Sequence, residues 1–192
     1  MNEILVLDTE TSGLSSKVNG ICEIFMKVKG IDTGLHIYVK PVEEMIYDDR
    51  AFAVNGLSLE FLEENGIEES LAVDKIIKFI LKEFQDKPKL LGQNVIFDIN
   101  FLEAMFQRHD LSFKKTVHYN FVDTMQISNF LKDCGVMPKT VKSKLTEAYK
   151  FFTEKNDEDI KGAHTAAFDV MMTETLYDKQ LECIKNNNFK YK

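Results

Sequence analysis

Four consecutive apolar residues, Ile4 to Leu7, run straight into Asp8-Thr9-Glu10. An uninterrupted apolar run of this length reads as a strand buried on both faces, as at the centre of a sheet. Along an extended chain residues i and i+2 point to one face, so Asp8 and Glu10 project side by side from the carboxyl end of that strand. Ligands in open α/β sheets bind outside those ends. Two uncompensated carboxylates placed there repel and raise each other's pKa, and a divalent cation removes the penalty. The alternative for the pair is a solvated turn ahead of Ser12-Gly13.

The rest of the chain supplies a sheet and helices around that strand. Cys22, Ile24, Met26 and Val28 alternate with Glu23, Phe25 and Lys27, and Leu35, Ile37 and Val39 alternate with His36, Tyr38 and Lys40. Gly30-Ile31-Asp32-Thr33-Gly34 lies between them, which predicts an antiparallel hairpin ended by Pro41. Val73, Ile76, Ile77, Ile80 and Phe84 recur at helical spacing. After Pro88 the pattern predicts strands over 89–92 and 117–122, and helices over 98–109, 124–132, 140–152 and 166–184. Strands mixed with helices, with one early hairpin, predict an α/β domain with a mixed sheet.

Length and composition narrow the function classes. A chain of 192 residues is one domain by length and large enough for a full core. With 24 basic against 31 acidic residues the net charge is −7, which excludes a broadly basic nucleic-acid coat. It leaves room for a nuclease that neutralises phosphates with metal ions. Cys22, Cys134 and Cys183 form no CxxC pair, so neither a zinc site nor a disulfide framework is expected, and a reducing compartment is. There is no basic leader and no apolar stretch of membrane-spanning length, so the expectation is a soluble, cytoplasmic protein with no membrane partner.

Two further groups of residues carry potential chemistry. Asn94-x-x-Phe97-Asp98 falls between a strand and a helix, where Asp98, taken alone, reads better as an N-cap and Asn94 as a turn residue. His164 and Asp169 are five residues apart, about 140° on a helix, so they share a face only if His164 sits in the loop before the helix. Gly162 favours that loop. The alternative is an exposed histidine and an acid that merely suits a helix N-terminus.

Taken together, the order and placement of these motifs resemble the DEDDh group of DnaQ-like 3′–5′ exonucleases. Residues Leu5 to Leu14, LVLDTETSGL, resemble the family's first motif. Leu91 to Asp98, LGQNVIFD, resemble the second, and Gly162 to Asp169, GAHTAAFD, the third. Val54-Asn55-Gly56-Leu57-Ser58 and Val122-Asp123-Thr124 are smaller echoes, and the likeness extends from about Ile4 to Ile184. Gln93 and Asn55 depart from the pattern, standing where histidine is frequent.

The resemblance implies the ribonuclease H-like fold, a five-stranded mixed sheet flanked by helices. It implies one exonuclease domain over 1–184 with a short tail over 185–192. It implies two Mg²⁺ or Mn²⁺ ions held by Asp8, Glu10, Asp98 and Asp169, with His164 as general base. Substrate contacts are expected from Thr9, Thr11, Leu14, Asn55, Gly56, Asn94 and Phe97. For Leu14 and Phe97, stacking on a base competes with ordinary core packing. The implied partner is a single-stranded or frayed DNA 3′ end. RNA is the alternative substrate, and a non-catalytic nucleic-acid scaffold is the alternative of a different class. Association with a DNA polymerase or replication proteins is a further implication, although a chain ending soon after its last helix leaves no room for a polymerase-tethering extension. Lys139, Lys142 and Lys144 form a basic run that is either a solvated face or a phosphate contact, and Glu63-Glu64 to Glu68-Glu69 read as solvated surface.

Overall fold

The computed structural model describes residues 3–186. Its centre is β1 (Ile4–Thr11), in which Leu5, Val6 and Leu7 are buried. Burial of each such side chain contributes about 1.5–3 kcal/mol relative to leaving it in water. Strand β1 pairs antiparallel with β2 (Ile21–Val28), which pairs antiparallel with β3 (Gly34–Tyr38). On its other edge β1 pairs parallel with β4 (Lys89–Gly92), and β4 pairs parallel with β5 (Phe121–Asp123). The sheet order is therefore β3-β2-β1-β4-β5, a five-stranded mixed sheet.

Between β3 and β4 come α1 (Asp49–Asn55), α2 (Leu59–Asn65) and α3 (Glu69–Glu83). They are followed by α4 (Ile96–Gln107), α5 (Thr124–Asp133), α6 (Leu145–Thr153) and α7 (Ala166–Asn186). Leu5 and Leu7 pack with Ile76 and Ile80 of α3 and with Leu102 and Met105 of α4 in one core. On the opposite sheet face Val6 and Leu91 pack against Val170 of α7. The two-residue period of β1 thus sends odd positions toward α3 and α4, and even positions toward α7. That alternation places Asp8 and Glu10 on the α7 side.

Several elements differ from the sequence reading. Strand β5 is three residues long rather than spanning 117–122, because His118 and Asn120 bond locally: Asn120 N–H donates to His118 Nδ1 at 3.0 Å. Val117 is still buried in the core, which is what made the segment look like a strand. The helix expected over 140–152 starts at Leu145, since Ser143 is held in a loop by side chains from other elements. Helices α1 and α2 were not anticipated, though both carry caps. Asp48 accepts from Arg50 N–H at 2.8 Å and Ser58 from Phe61 N–H at 3.1 Å. The acidic run is not all solvated: Glu69 is buried, taking a two-pronged bond from Arg108 at 2.9 and 2.6 Å and a third from His109 at 3.0 Å. Of the expected tail over 185–192, residues 185 and 186 continue α7, and 187–192 lie outside the described residues. None of the three cysteines forms a disulfide. No helix among the described residues is long and apolar enough to cross a membrane.

Candidate active site

The carboxyl end of β1 gathers acids from three elements. Asp8 and Glu10 come from β1, and Asp169 from the first turn of α7. Their ligand oxygens all lie within 4.8 Å of one another. Asp98, buried in the first turn of α4, reaches the same strand from the opposite sheet face. It is not an N-cap, which corrects the structural alternative for it: its Oδ1 accepts the backbone N–H of Thr9 at 2.9 Å and the Thr9 hydroxyl at 2.7 Å. Those bonds hold Asp98 beside Asp8, separate from the three-carboxylate group.

The four carboxylates crowd like charge at the end of β1. Among the described residues none of them forms a salt bridge with lysine or arginine. Burial, then the charges of Asp98, Asp169, Glu10 and Glu23, push Asp8 well above the usual carboxylate range. Burial and the Asp169 charge raise Glu10 to about 8. Burial raises Asp98 to about 7 against the two Thr9 hydrogen bonds, which pull it down. Burial raises Asp169 to about 6, opposed by the His164 backbone bond and charge. Hard divalent cations prefer such oxygen sets, so the residues present fit a divalent metal.

These shifts have a measurable consequence. A carboxyl whose folded pKa is raised binds more protons in the folded than in the unfolded state between the two values, so stability falls as pH rises through that window. For Glu10, Asp98 and Asp169 the window runs from the ordinary values of 4.5 and 3.8 up to about 8. The metal-free protein should therefore lose stability from these groups between pH 5 and 8, and millimolar Mg²⁺ should restore it by binding the folded state. Calorimetric melting in EDTA and in Mg²⁺ at both pH values reads this. A Mg²⁺-induced rise in Tm that is no larger at pH 8 than at pH 5 would contradict the site's charge balance.

The loop before α7 presents His164. It is exposed, has φ of 70°, and its backbone N–H donates to Asp169 Oδ1 at 3.2 Å. It is outside the helix, the arrangement that lets it and Asp169 face one site. Gly162 permits the loop to fold against the helix: a Cβ there would stand 2.6 Å from the Phe168 ring. Glu23, which the sequence reading passed over as one polar position of an alternating strand, anchors this region. It pairs across from Glu10, bonds His36 Nε2 at 2.7 Å, and accepts the Ala166 N–H at the start of α7 at 3.3 Å. The face bearing Glu23, Phe25 and Lys27 was legible only as half-polar; α7 covers it, and Lys27 is buried against Glu174.

Beside the acids lies a cleft of about 450 Å³. Thr9, Glu10 and Thr11 of β1 line it, with Leu14, Asn55 and Phe97. Its other wall is α1 and its cap, through Asp48, Arg50, Ala51 and Val54; of these the sequence reading named only Val54, as part of a smaller echo of the family. The capped helix around Asp48 was the available signal. Leu14 is 89% exposed, which removes the core-packing alternative for it. Phe97 is partly buried and packs on Phe101 with ring centroids 4.7 Å apart, so it serves the core while edging the cleft. Thr11 Oγ1 donates to Gly13 C=O at 2.7 Å. Buried Asn55 donates to Thr11 C=O at 3.4 Å and accepts from Leu57 N–H at 3.1 Å, tying α1 to the end of β1. Gly56, at φ of 72°, closes α1 by donating to Phe52 C=O. Asn94 is an exposed turn residue at φ of 57° whose N–H donates to Asp123 at 3.0 Å, and it is not among the residues lining this cleft.

A mixed sheet of this order, with carboxylates from β1, α4 and α7 brought to the end of β1 and a histidine-bearing loop at Asp169, defines an α/β nuclease with the ribonuclease H-like fold. A family model described as Exonuclease, RNase_T, matches residues 5–177, and the chain belongs to this family, as a 3′–5′ exonuclease of the DEDDh type. It is 25% identical to ribonuclease T of Pectobacterium atrosepticum over 185 residues, covering 90% of this chain and 78% of that protein. It is 28% identical to ribonuclease T of Enterobacter sp. over 187 residues, with the same shares covered. Escherichia coli exonuclease I in complex with a dT13 oligonucleotide has a similar fold, with a TM-score of 0.76 at 16% identity over 98% of this chain. The chain spans 43% of the length of that exonuclease I chain.

Proposed function

We propose that this protein removes nucleoside 5′-monophosphates one at a time from the 3′ end of single-stranded or frayed DNA, using two Mg²⁺ or Mn²⁺ ions. The observation behind the reading is the group Asp8, Glu10 and Asp169, with ligand oxygens within 4.8 Å and no lysine or arginine partner among the described residues, at the edge of an open cleft. These three and Asp98 would hold the metal. Bound divalent ions supply stabilisation of the attacking and leaving oxygens of an in-line displacement and ease ionisation of water.

The chain's own residues do the rest. The neutral imidazole of His164 takes a proton from the attacking water. The water oxygen bonds to phosphorus, and the bond from phosphorus to the 3′ oxygen of the preceding nucleotide breaks. A 5′-monophosphate leaves, and the released 3′ oxygen takes a proton from solvent, so the shortened strand ends in a 3′-hydroxyl. Thr9 fixes Asp98 through both of its hydrogen bonds, so its part is to hold that carboxylate in place. Leu14, exposed at the cleft mouth, and the edge of Phe97 offer apolar surface to a terminal base. Asn55 lines the cleft at the end of α1, beside where that nucleotide would lie, and Gly56 ends that helix behind it. Asn94 enters through its turn, which places α4 and hence Asp98.

RNA is the second reading, favoured by the ribonuclease T relatives that align along 90% of the chain. Oligonucleotide-bound exonuclease I supports a single strand as the general form of substrate. Digestion of 5′-labelled DNA and RNA of one sequence in Mg²⁺ tests both. A descending ladder is expected, faster on DNA. Faster loss of the RNA would favour the second reading, and early release of the labelled terminal mononucleotide would overturn the polarity.

A further inference from the structure

The turn bearing the second motif is tied to a basic loop that the catalytic reading leaves unused. Gln93, the residue before Asn94, donates from Nε2 to Ser143 C=O at 2.8 Å, and its Oε1 accepts from the Thr124 hydroxyl. Lys132 Nζ donates to Ser143 Oγ at 2.6 Å, and that hydroxyl donates to Asn129 at 2.6 Å. The loop between α5 and α6 is thus fixed to the rim of the site. Its other end is fixed too. Leu145, directly after Lys144, packs in one cluster with Ala163 and Phe168, the residues flanking His164 and Asp169 in sequence.

Three lysines stand on this loop. Lys139, Lys142 and Lys144 are exposed, and their side chains make no hydrogen bond or ion pair with any described residue. Some surface lysines pair with acids a turn away, as Lys150 does with Glu147 and Lys179 with Glu182. Here no acid is near in sequence: none occurs between Asp133 and Glu147, in a chain of 31 acidic residues. A strand approaching a protein of net charge −7 and a four-carboxylate site is repelled unless positive charge meets its phosphates. Unpaired lysines on a fixed loop beside the site supply it.

We propose that Lys139, Lys142 and Lys144 bind the phosphodiester backbone of the substrate strand upstream of the nucleotide being removed. Such contacts position a strand without reading its sequence. The proposal rests on the exonuclease reading above.

The test compares the wild type with a variant carrying Lys139→Gln, Lys142→Gln and Lys144→Gln, and with the corresponding triple arginine variant. Hydrolysis of dT20 and of the dinucleotide dTpdT is followed in Mg²⁺ from 50 to 200 mM NaCl. Each phosphate contact to a single strand contributes about 0.7 to the salt slope, so the glutamine variant should lose a slope of about 2, roughly 20-fold in kcat/KM across that range. The arginine variant should keep the slope, and the dinucleotide, with no upstream phosphate, should be cleaved as well by all three. An unchanged slope on dT20, or an equal loss on the dinucleotide, would overturn the proposal. If the wild type cleaves neither substrate, the exonuclease reading itself fails. The lysines are then read by anisotropy of 5′-fluorescein dT20: loss of salt-dependent binding in the glutamine variant supports the contact, and unchanged binding refutes it.

Discussion

Asp8→Asn and Asp169→Asn should each lose hydrolysis by about 10³-fold or more while the protein stays folded, a loss at or above that of removing one preorganised electrostatic group. The reason lies in the balance of charge at the end of β1. Asp8 has four acids acting on it, and Asp169 stands within 4.8 Å of Asp8 and Glu10. An amide there removes repulsion without changing the side-chain shape. In Asp169→Asn the amide oxygen still accepts the His164 N–H, so the loop keeps its hold. The metal-free variants should therefore melt no lower than the wild type at pH 8. In Mg²⁺ they should show a smaller rise in Tm, because one ligand charge is gone. Single-turnover hydrolysis and calorimetry on the same preparations read both halves. Near-wild-type turnover in either variant would refute the ligand assignment; a variant that melts far below wild type without metal would show that the carboxylate holds the fold instead.

His164→Asn should lower the hydrolysis rate about 10²–10⁴-fold, the usual contribution of general acid–base catalysis. Asparagine is the informative replacement. His164 sits at φ of 70°, a left-handed conformation that asparagine tolerates and alanine adopts only at a cost. Loss of activity is then not confused with a strained loop. Asparagine also cannot take a proton from water near neutral pH. The Mg²⁺-induced rise in Tm should match the wild type, since the three-carboxylate group does not include His164. Full activity would make His164 an ordinary loop residue. Loss of the metal-induced shift would make it a ligand and leave the base to be found elsewhere.

Much of the fold was legible because it is written in local periodicity. The apolar run of β1, the alternation of β2 and β3, and the helical spacing from Val73 to Phe84 each follow from geometry within one element. The misreadings have equally specific causes. Val117 is a core residue on a turn, and burial alone does not distinguish turn from strand. The start of α6 is delayed by Ser143, whose partners Gln93, Asn129 and Lys132 lie 11 to 50 residues away in the chain. Helices α1 and α2 are short, so their apolar periodicity is brief, and only the Asp48 and Ser58 caps announced them. Glu69 looked like part of a solvated acidic run because Arg108 and His109 are distant in sequence.

For the site, the sequence by itself determined the kinds of chemistry: two carboxylates on one face of a strand, further acids at the starts of two helices, and a histidine ahead of the last one. Strand period and helix-end positions dictate that much without tertiary contacts. The tertiary structure alone decided the grouping. Asp8 and Glu10 share α7's side of the sheet with Asp169, whereas Asp98 arrives from the α4 side and is held by Thr9. It also decided that Leu14 is a surface residue, that buried Glu23 anchors the start of α7, and that the lysine loop abuts the second motif. The physical reason is that each of these depends on where elements far from β1 in sequence come to rest. Side-chain pattern says which face of an element is buried, but only packing says against what.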